Sequence, residues 1–233
     1  KELDFKFIVG ASKNYQYIFY LRTQIEQRMY PVKTPFWLSY LYPSLTWHES
    51  RTDKCIYLTF DDGPIPIVTP FVLKTLKQFE AKATFFCIGD NVRKHPKVFE
   101  QILADGHAVG NHTYHHVNGW KTGSKTYLEE FKQCEQLVPS NLFRPPYGRI
   151  TNAQIKQLRA YNPTLKIIMW DILSHDYHPK LKPETCLKRV INAADNGAIV
   201  VFHDSLKAQE RLEYSLPRAL EYWTKKGYRF CTW

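Results

Sequence analysis

The 233-residue sequence predicts an α/β fold in which about seven parallel strands alternate with helices. Short β-rich runs alternate with amphipathic helical patterns, an order in which strands usually pair in parallel. The number of β/α units is one short of a complete eight-stranded barrel. Polar motifs also fall at or just past the predicted C-terminal ends of strands, the rim where parallel α/β folds build their sites.

The predicted strands begin at Cys55. They cover residues 55–60, 83–88, 107–110, 141–144, 165–170, 198–202 and 228–232. Apolar residues at helical spacing lie between them, namely Val68, Phe71, Val72, Leu76 and Phe79, then Val98, Ile102 and Leu103, then Leu128, Phe131, Cys134 and Leu137. A capping box and two helix-ending glycines complete the pattern, namely Thr151 with Gln154, Gly106 and Gly227. We expect these stripes to form the core.

Residues 1–50 differ from the rest and are interpreted as an N-terminal extension, with residues 51–233 as the barrel. The extension is rich in tyrosine, is interrupted by three prolines and contains one predicted helix, Tyr15–Met29. Its aromatic segment Thr34–Pro43 is too short to cross a bilayer. We expect this segment to cap the closed end of the barrel, with a position at a membrane surface as the alternative.

The composition is that of a soluble globular protein, with 44% hydrophobic and 23% charged residues. The formal net charge of +10 attracts polyanions. The sequence contains no block of five Lys or Arg residues and no nucleic-acid motif, so a solvated basic surface is favoured over a nucleic-acid partner.

The five cysteines predict a reducing environment. Their number is odd and no CxxC spacing occurs, so neither a disulfide framework nor a cysteine zinc site is indicated. We therefore favour a cytoplasmic location, since no signal peptide is seen. One disulfide bridge, and the cell envelope for a sequence trimmed of its leader, stay open as alternatives.

Two motifs indicate a metal site. Asp61 and Asp62 are adjacent at the end of a predicted strand, where alternating side chains let one hold a metal while the other stays a base. His112 and His116 are four residues apart, a spacing that one helical turn would present on the same side. His115 with His112 is an alternative pair. Together they predict a site of two histidines and one aspartate.

Three further motifs follow in chain order. They are Arg144–Gly148 (RPPYG), then Trp170-Asp171 with Asp176-Tyr177, then Val201–Asp204 (VFHD). With the first two motifs, these residues resemble the polysaccharide deacetylase family, also called carbohydrate esterase family four or the NodB-homology domain, over roughly residues 55–233. The resemblance implies a distorted (β/α) barrel of about seven strands and makes residues 51–233 the catalytic barrel.

The resemblance also implies roles for the two metal-site motifs. Asp62, His112 and His116 would be ligands of a divalent metal, most often zinc, with cobalt or nickel as alternatives. Three protein ligands leave one position open, as a catalytic zinc requires. Asp61 would be the base that takes the proton from the attacking water.

The later motifs supply the rest of the implied machinery. Arg144 would pair with the base, and the backbone N–H of Tyr147 would stabilise the tetrahedral oxyanion. His203 would be the general acid that protonates the leaving amine. Asp176 would orient His203 and raise its pKa.

Four residues are implied to contact the substrate. They are Pro146, Trp170, Tyr177 and Val201. The sequence departs from the family pattern here, because Leu173 stands where an Asp is usual and Tyr177 where a Trp is usual. Val201 also stands where a Leu is common. In the family these positions line the acetyl-methyl pocket, so the resemblance implies that catalysis is kept and leaves the substrate fit open. Trp120 is a further aromatic side chain suited to stacking on a pyranose ring.

The implied function is a metal-dependent hydrolase that removes N-acetyl groups from N-acetylglucosamine-type units of a glycan, peptidoglycan or chitin-like, and releases acetate. An acetylated glycan is therefore the expected partner. Relatives of similar architecture that hydrolyse O-acetyl esters or cyclic amides are the alternatives within the enzyme class. A carbohydrate-binding or scaffold protein is the non-enzymatic alternative, which loss of the base or of a ligand would indicate; both are present.

Overall fold

The computed structural model describes residues 31–233, so the predicted helix Tyr15–Met29 lies outside the described residues. The strands over this range are β1 (Cys55–Asp61), β2 (Thr84–Cys87), β3 (Ala108–Asn111), β4 (Leu142–Phe143), β5 (Lys166–Ile167), β6 (Ile172–Leu173), β7 (Ala198–His203) and β8 (Arg229–Phe230). The helices are α1 (Phe36–Leu41), α2 (Val68–Gln78), α3 (Gly89–Lys94), α4 (Pro96–Ala104), α5 (Ser124–Glu135), α6 (Asn152–Tyr161), α7 (Pro183–Ala193) and α8 (Gln209–Lys225), with 3-10 turns at Gly119–Lys121 and Pro146–Gly148.

Eight parallel strands form one curled sheet, and seven of them lie on its main path, in agreement with the predicted number of about seven. Their order is β5-β4-β3-β2-β1-β7-β6, and β8 pairs with the start of β1 beside this path. The distorted α/β barrel is therefore confirmed. One prediction of a strand is wrong: residues 165–170 do not form a single strand, because β5 ends at Ile167 and β6 begins at Ile172.

The sheet is open between its edge strands β5 and β6, and the segment before β1 spans this gap. The Met169 N–H donates to the Thr46 carbonyl (2.7 Å), and the Leu173 N–H donates to the Val32 carbonyl (2.8 Å). Thr34, the first residue of the segment predicted to cap the closed end, donates its N–H to the Asp171 carbonyl (2.7 Å), so this segment begins at the open seam. Capping of the closed end by the rest of the segment stays a prediction. Helix α1 lies within this segment, and its Phe36 side chain is exposed. The boundary predicted at residue 50 stays a prediction.

Alternation along the strands separates two apolar regions. On β7, Ala198, Val200 and Phe202 pack in the main core between sheet and helices, whereas Ile199 packs in a second cluster inside the barrel. Asp61 and His203 are register partners on β1 and β7, so both belong to the inward-facing set. The strand pattern therefore directs the polar residues at the strand ends toward the barrel mouth.

The helical stripes are largely confirmed. The first stripe forms α2, and the capping box of Thr151 and Gln154 opens α6 with both of its hydrogen bonds. Leu103 is the exception, because it is 46% exposed and the buried face of α4 is made by Phe99 and Ile102. None of the helices in residues 31–233 has the length and apolar character needed to cross a bilayer.

One disulfide bridge, which the cysteine count left open as an alternative, is present. Cys55 and Cys231 form a disulfide, with their Cα atoms 6.1 Å apart, and it ties the C-terminal segment to the start of β1. Cys87, Cys134 and Cys186 are free and buried. Cysteine spacing did not reveal the pair because its members are 176 residues apart and meet only when β8 joins β1.

Candidate active site and metal centre

Asp61 is the last residue of β1 and Asp62 follows it, and their side chains point to different places, as predicted. Asp61 is buried inside the barrel mouth and faces Arg144, whereas Asp62 turns toward His112 and His116. The backbone at Asp62 has φ 82, in the left-handed region, so the chain turns sharply as it leaves the strand. The two carboxylates therefore occupy separate environments.

The histidine motif is not a helical turn, which corrects the prediction. Residues 112–116 form an irregular loop in which Thr113 has φ 60 and His116 has φ 57. The Thr113 N–H donates to the Asn111 side chain (2.8 Å), and the Val117 N–H donates to the Thr113 hydroxyl (3.1 Å). Local side-chain bonds, which compete with helix formation, thus bring the imidazoles together.

The three predicted ligands converge. One ligand atom from each of Asp62, His112 and His116 lies within 4.8 Å of the others. Asp62 Oδ1 is 3.2 Å from His116 Nε2 and 3.8 Å from His112 Nε2. His112 Nδ1 is 2.7 Å from the Arg144 carbonyl, to which it can donate, and this leaves Nε2 as the acceptor that a metal needs.

This donor set fits a divalent metal such as zinc, which binds His nitrogen and Asp oxygen and uses three protein ligands in catalytic sites. His115 does not join the cluster. Its N–H and Nδ1 both face the Glu130 carboxylate (2.8 and 2.9 Å), so the alternative pair of His112 with His115 is not supported. The assignment of the three ligands remains a prediction that this geometry favours.

The electrostatics suit a bound cation. Burial lowers the pKa of His112 to about 4, which keeps its imidazole neutral near pH 7. Burial alone would raise the pKa of Asp62, but the hydrogen bond from His116 and the nearby imidazoles hold it well below its usual range. The cluster therefore presents one carboxylate and a neutral His112.

Arg144 fixes Asp61 from inside the barrel. Its Nη1 donates to Asp61 Oδ1 and to the Thr59 hydroxyl, each at 2.7 Å. Its Nε and Nη2 donate to the carbonyls of Ile168 and Met169. Because Arg144 is fully buried, these bonds replace the water that its charge has lost.

A second charged pair faces the site from β7. Asp176 accepts the backbone N–H of His203 at 2.8 Å and contacts its Nδ1 at 2.7 Å. Burial alone would lower the pKa of His203, but Asp176 outweighs it and, with Asp62 and Asp61, raises the pKa to about 9. His203 is thus protonated near pH 7 and has a proton to donate.

The RPPYG segment forms a wall beside the metal cluster. Tyr147 is at the tip of a 3-10 turn with φ 60, and its ring centroid is 4.5 Å from that of His116. Pro146 is buried in the same turn, and Gly148 permits close packing because a Cβ there would lie 2.4 Å from the Trp170 ring. Trp170 therefore supports this wall from inside.

The remaining pocket residues lie near His203. The Tyr177 ring meets the His203 ring edge-on at 5.0 Å, and it is half-buried rather than exposed. Val201 is buried and in register with Leu173 across β6 and β7. Asp171 does not lie at the C-terminal rim as predicted. It precedes β6, where Arg51 pairs with it at 2.9 Å.

Four supporting residues received no role from the sequence. They are Thr59, Glu130, Asp204 and Arg211. Thr59 stands two residues before Asp61, and Asp204 ends the VFHD motif, so the available signal was a polar residue close to the predicted base or acid. Glu130 and Arg211 come from α5 and α8 and contact His115 and the Asp176 carbonyl. Their distance in the sequence hides these contacts.

The curled parallel sheet, with its histidine–aspartate cluster at the C-terminal rim, defines a (β/α)-barrel hydrolase with a candidate metal site. The sequence model for polysaccharide deacetylase matches residues 48–165. The chain belongs to the polysaccharide deacetylase family, which confirms the predicted family and its enzyme class.

Two relatives and one solved structure are similar to this chain over most of its length. A peptidoglycan-N-acetylglucosamine deacetylase of Bacillus cereus is 34% identical over 194 residues, covering 81% of this chain and 90% of that protein. One from Listeria monocytogenes is 35% identical over 191 residues, covering 79% of this chain but 39% of that protein. A crystal structure of a peptidoglycan N-acetylglucosamine deacetylase in complex with 4-naphthalen-1-yl-N-oxidanyl-benzamide has a TM-score of 0.78 and 29% identity, covering 85% of this chain and 94% of that one.

Proposed function

We propose that this protein hydrolyses the N-acetyl group of N-acetylglucosamine-type units in a glycan, with peptidoglycan as the first candidate and a chitin-like oligomer as the second. This proposal is supported by three groups of residues at the C-terminal ends of the strands. They are the Asp62–His112–His116 cluster, the Asp61–Arg144 pair and the His203–Asp176 pair. The relatives named as peptidoglycan-N-acetylglucosamine or chitooligosaccharide deacetylases support this choice of substrate class.

The first half of the reaction adds water to the acetyl carbonyl. Asp61 takes a proton from the water as the new carbon–oxygen bond forms. Arg144 keeps this carboxylate oriented through its 2.7 Å bond. The backbone N–H of Tyr147 donates to the oxygen that becomes negative.

The second half breaks the carbon–nitrogen bond. His203 gives its proton to the leaving nitrogen, so the products are acetate and a free sugar amine. Asp176 holds His203 by two contacts, which fixes the ring and keeps Nε2 for the substrate. Tyr177, Val201 and Trp170 would shape the space around the acetyl methyl group.

Zinc is the metal we propose for Asp62, His112 and His116, with cobalt and nickel as alternatives. When bound, it would polarise the carbonyl and lower the pKa of a coordinated water. The converging Nε2 atoms and the His112–Arg144 bond are the structural basis for this choice.

We also propose that the protein acts outside the cytoplasm. Disulfides persist in oxidising compartments, and Cys55–Cys231 therefore weighs against the cytoplasmic location that the odd cysteine number favoured. A location in the cell envelope would give access to peptidoglycan. Thiol titration of protein taken from its native compartment would test this, because a free Cys55–Cys231 pair contradicts it.

The decisive assay is acetate release from a panel of glycans. Metal-stripped protein would be reconstituted with zinc, cobalt or nickel and given chitin oligomers, peptidoglycan fragments and acetylated xylan. We expect release from the N-acetyl substrates and none from metal-free protein. Asp61→Asn is the matched inactive control. Release from xylan alone would favour an O-acetyl esterase, and release from none would overturn the proposal.

A further inference from the structure

Asp204 is fully buried and bonds to both neighbours of Asp62, to Gly63 through its side chain and to Asp61 through its backbone. Its Oδ1 accepts the Gly63 N–H at 3.0 Å, and its own N–H donates to the Asp61 carbonyl at 3.1 Å. Its Oδ2 accepts the Thr69 hydroxyl at 2.5 Å. Asp204 thus holds the chain immediately before and immediately after the predicted metal ligand.

The turn at Asp62 needs such support. With φ 82, Asp62 has a backbone conformation that is unfavourable for a residue with a side chain and persists only where the surroundings determine it. From the other side, the Asn91 amide donates to the Asp62 carbonyl (2.7 Å) and the Ile88 N–H to the Gly63 carbonyl (3.0 Å). The turn is therefore held from two directions.

Gly63 makes the contact with Asp204 possible. A Cβ at this position would lie 2.0 Å from Asp204 Oδ2, closer than real atoms approach. Thr69 extends the same network, because its hydroxyl accepts the Ile65 N–H at 2.8 Å while donating to Asp204. The buried carboxyl group is thus bonded through both of its oxygens, as most buried polar groups are, while burial raises its pKa to about 8.

We propose that Asp204 is a positioning residue that sets the direction of the Asp62 carboxylate and thereby the affinity for the metal. This inference rests on the proposed function, because it assigns a role toward the same metal site. Asp204 itself binds no metal in this proposal. Groups that hydrogen-bond a metal ligand directly change metal affinity by about 10- to 100-fold when they are replaced. Asp204 acts through the backbone on either side of Asp62, so we expect an effect at the lower end of this range.

The test measures the zinc dissociation constant of the full chain by competition with a chromophoric chelator. Asp204→Asn keeps the shape and an oxygen that can accept the Gly63 N–H, but its NH2 group cannot accept the Thr69 hydroxyl, so we expect zinc to bind about tenfold more weakly. Asp195→Asn is the control. It removes a surface carboxylate paired with Lys33 at the opposite end of β7, and it should leave the constant unchanged.

Thermal unfolding of the metal-free variants separates positioning from general support. A lower Tm of metal-free Asp204→Asn with an unchanged zinc constant would overturn the proposal. If Asp204→Asn fails to fold, Thr69→Val tests the proposal in its place, because it removes the hydrogen bond from the Thr69 hydroxyl to Asp204. We expect about two- to tenfold weaker zinc binding, and an unchanged constant would overturn the proposal.

The zinc dissociation constants also distinguish failure of the proposed function from failure of the proposed role of Asp204. Wild-type protein that binds no zinc contradicts the metal site itself. Wild-type protein that binds zinc, with Asp204→Asn binding equally well, contradicts only the role of Asp204.

Discussion

Arg144 Nη1 lies 2.7 Å from Asp61 Oδ1, and both residues are buried in the barrel mouth. An ion pair in this position costs desolvation and is retained where orientation matters. Arg144 comes from the end of β4 and Asp61 from the end of β1, so the curled sheet itself joins the proposed base to its partner.

Asp61→Asn should abolish most activity while keeping the metal. The amide retains an acceptor for Arg144 but cannot take a proton, so we expect kcat to fall by about 10²- to 10⁴-fold. Acetate release and zinc content, measured on the same preparation, check this. A variant as active as the wild type would remove Asp61 from the mechanism.

His116→Ala should weaken zinc binding by more than about 100-fold, since loss of a ligand costs more than loss of a group that only orients one. His115→Ala is the matched control. His115 precedes His116 in the sequence, but its ring faces Glu130 and not the metal cluster. Equilibrium dialysis with zinc gives both constants. Equal losses in the two variants would contradict the assignment.

The pH profile should reflect His203. Its pKa is raised to about 9, so the proton is present near neutrality and is lost as the pH rises through that value. A cation at Asp62 opposes the shift, and we expect the alkaline fall of kcat/KM at or below about pH 9. Asp176→Asn should move this fall to lower pH, because Asp176 supplies the charge that raises the pKa.

The same pair links stability to pH. A folded-state pKa above the ordinary value of 6.5 stabilises the protein fully below about pH 6.5, and that contribution disappears as the pH rises through about 9. Urea denaturation of wild type and Asp176→Asn across this range would measure it. Parallel stability curves would show that the pair does not couple to folding.

Cys55→Ser with Cys231→Ser should lower the free energy of unfolding by about 2–5 kcal/mol, because the bridge closes a loop across 176 residues of sequence. Denaturation in guanidinium gives the value. Cys186→Ala, at a buried free thiol, is the comparison that removes a cysteine without removing a bridge. Identical midpoints for the serine variant and the wild type would show that the bridge is absent in solution.

The parts of the site that depend on residues close together in the sequence could be predicted. Asp61 and Asp62 are adjacent at a strand end, so alternation predicts their divergence, and the structure has it. The histidine loop shows the limit of this reasoning. Spacing predicted a helical turn, yet Asn111 and Thr113 bond to the loop backbone and produce the same convergence without a helix.

Contacts between distant elements were not predictable. The disulfide depends on β8 joining β1, and the place of Asp171 depends on the break between β5 and β6. The seam spanned by Val32 and Thr46 depends on which strands remain at the edges. Each of these contacts depends on which strands are neighbours in the sheet, and the periodicity of a sequence does not reveal that order.

The central claim is that Asp62, His112 and His116 bind one cation. A crystal grown with zinc and measured at the zinc absorption edge tests it most directly. The account predicts one strong anomalous peak about 2.0–2.2 Å from an Asp62 oxygen and from the Nε2 atoms of His112 and His116. A peak bound by other residues, or no peak at these three side chains, would contradict it.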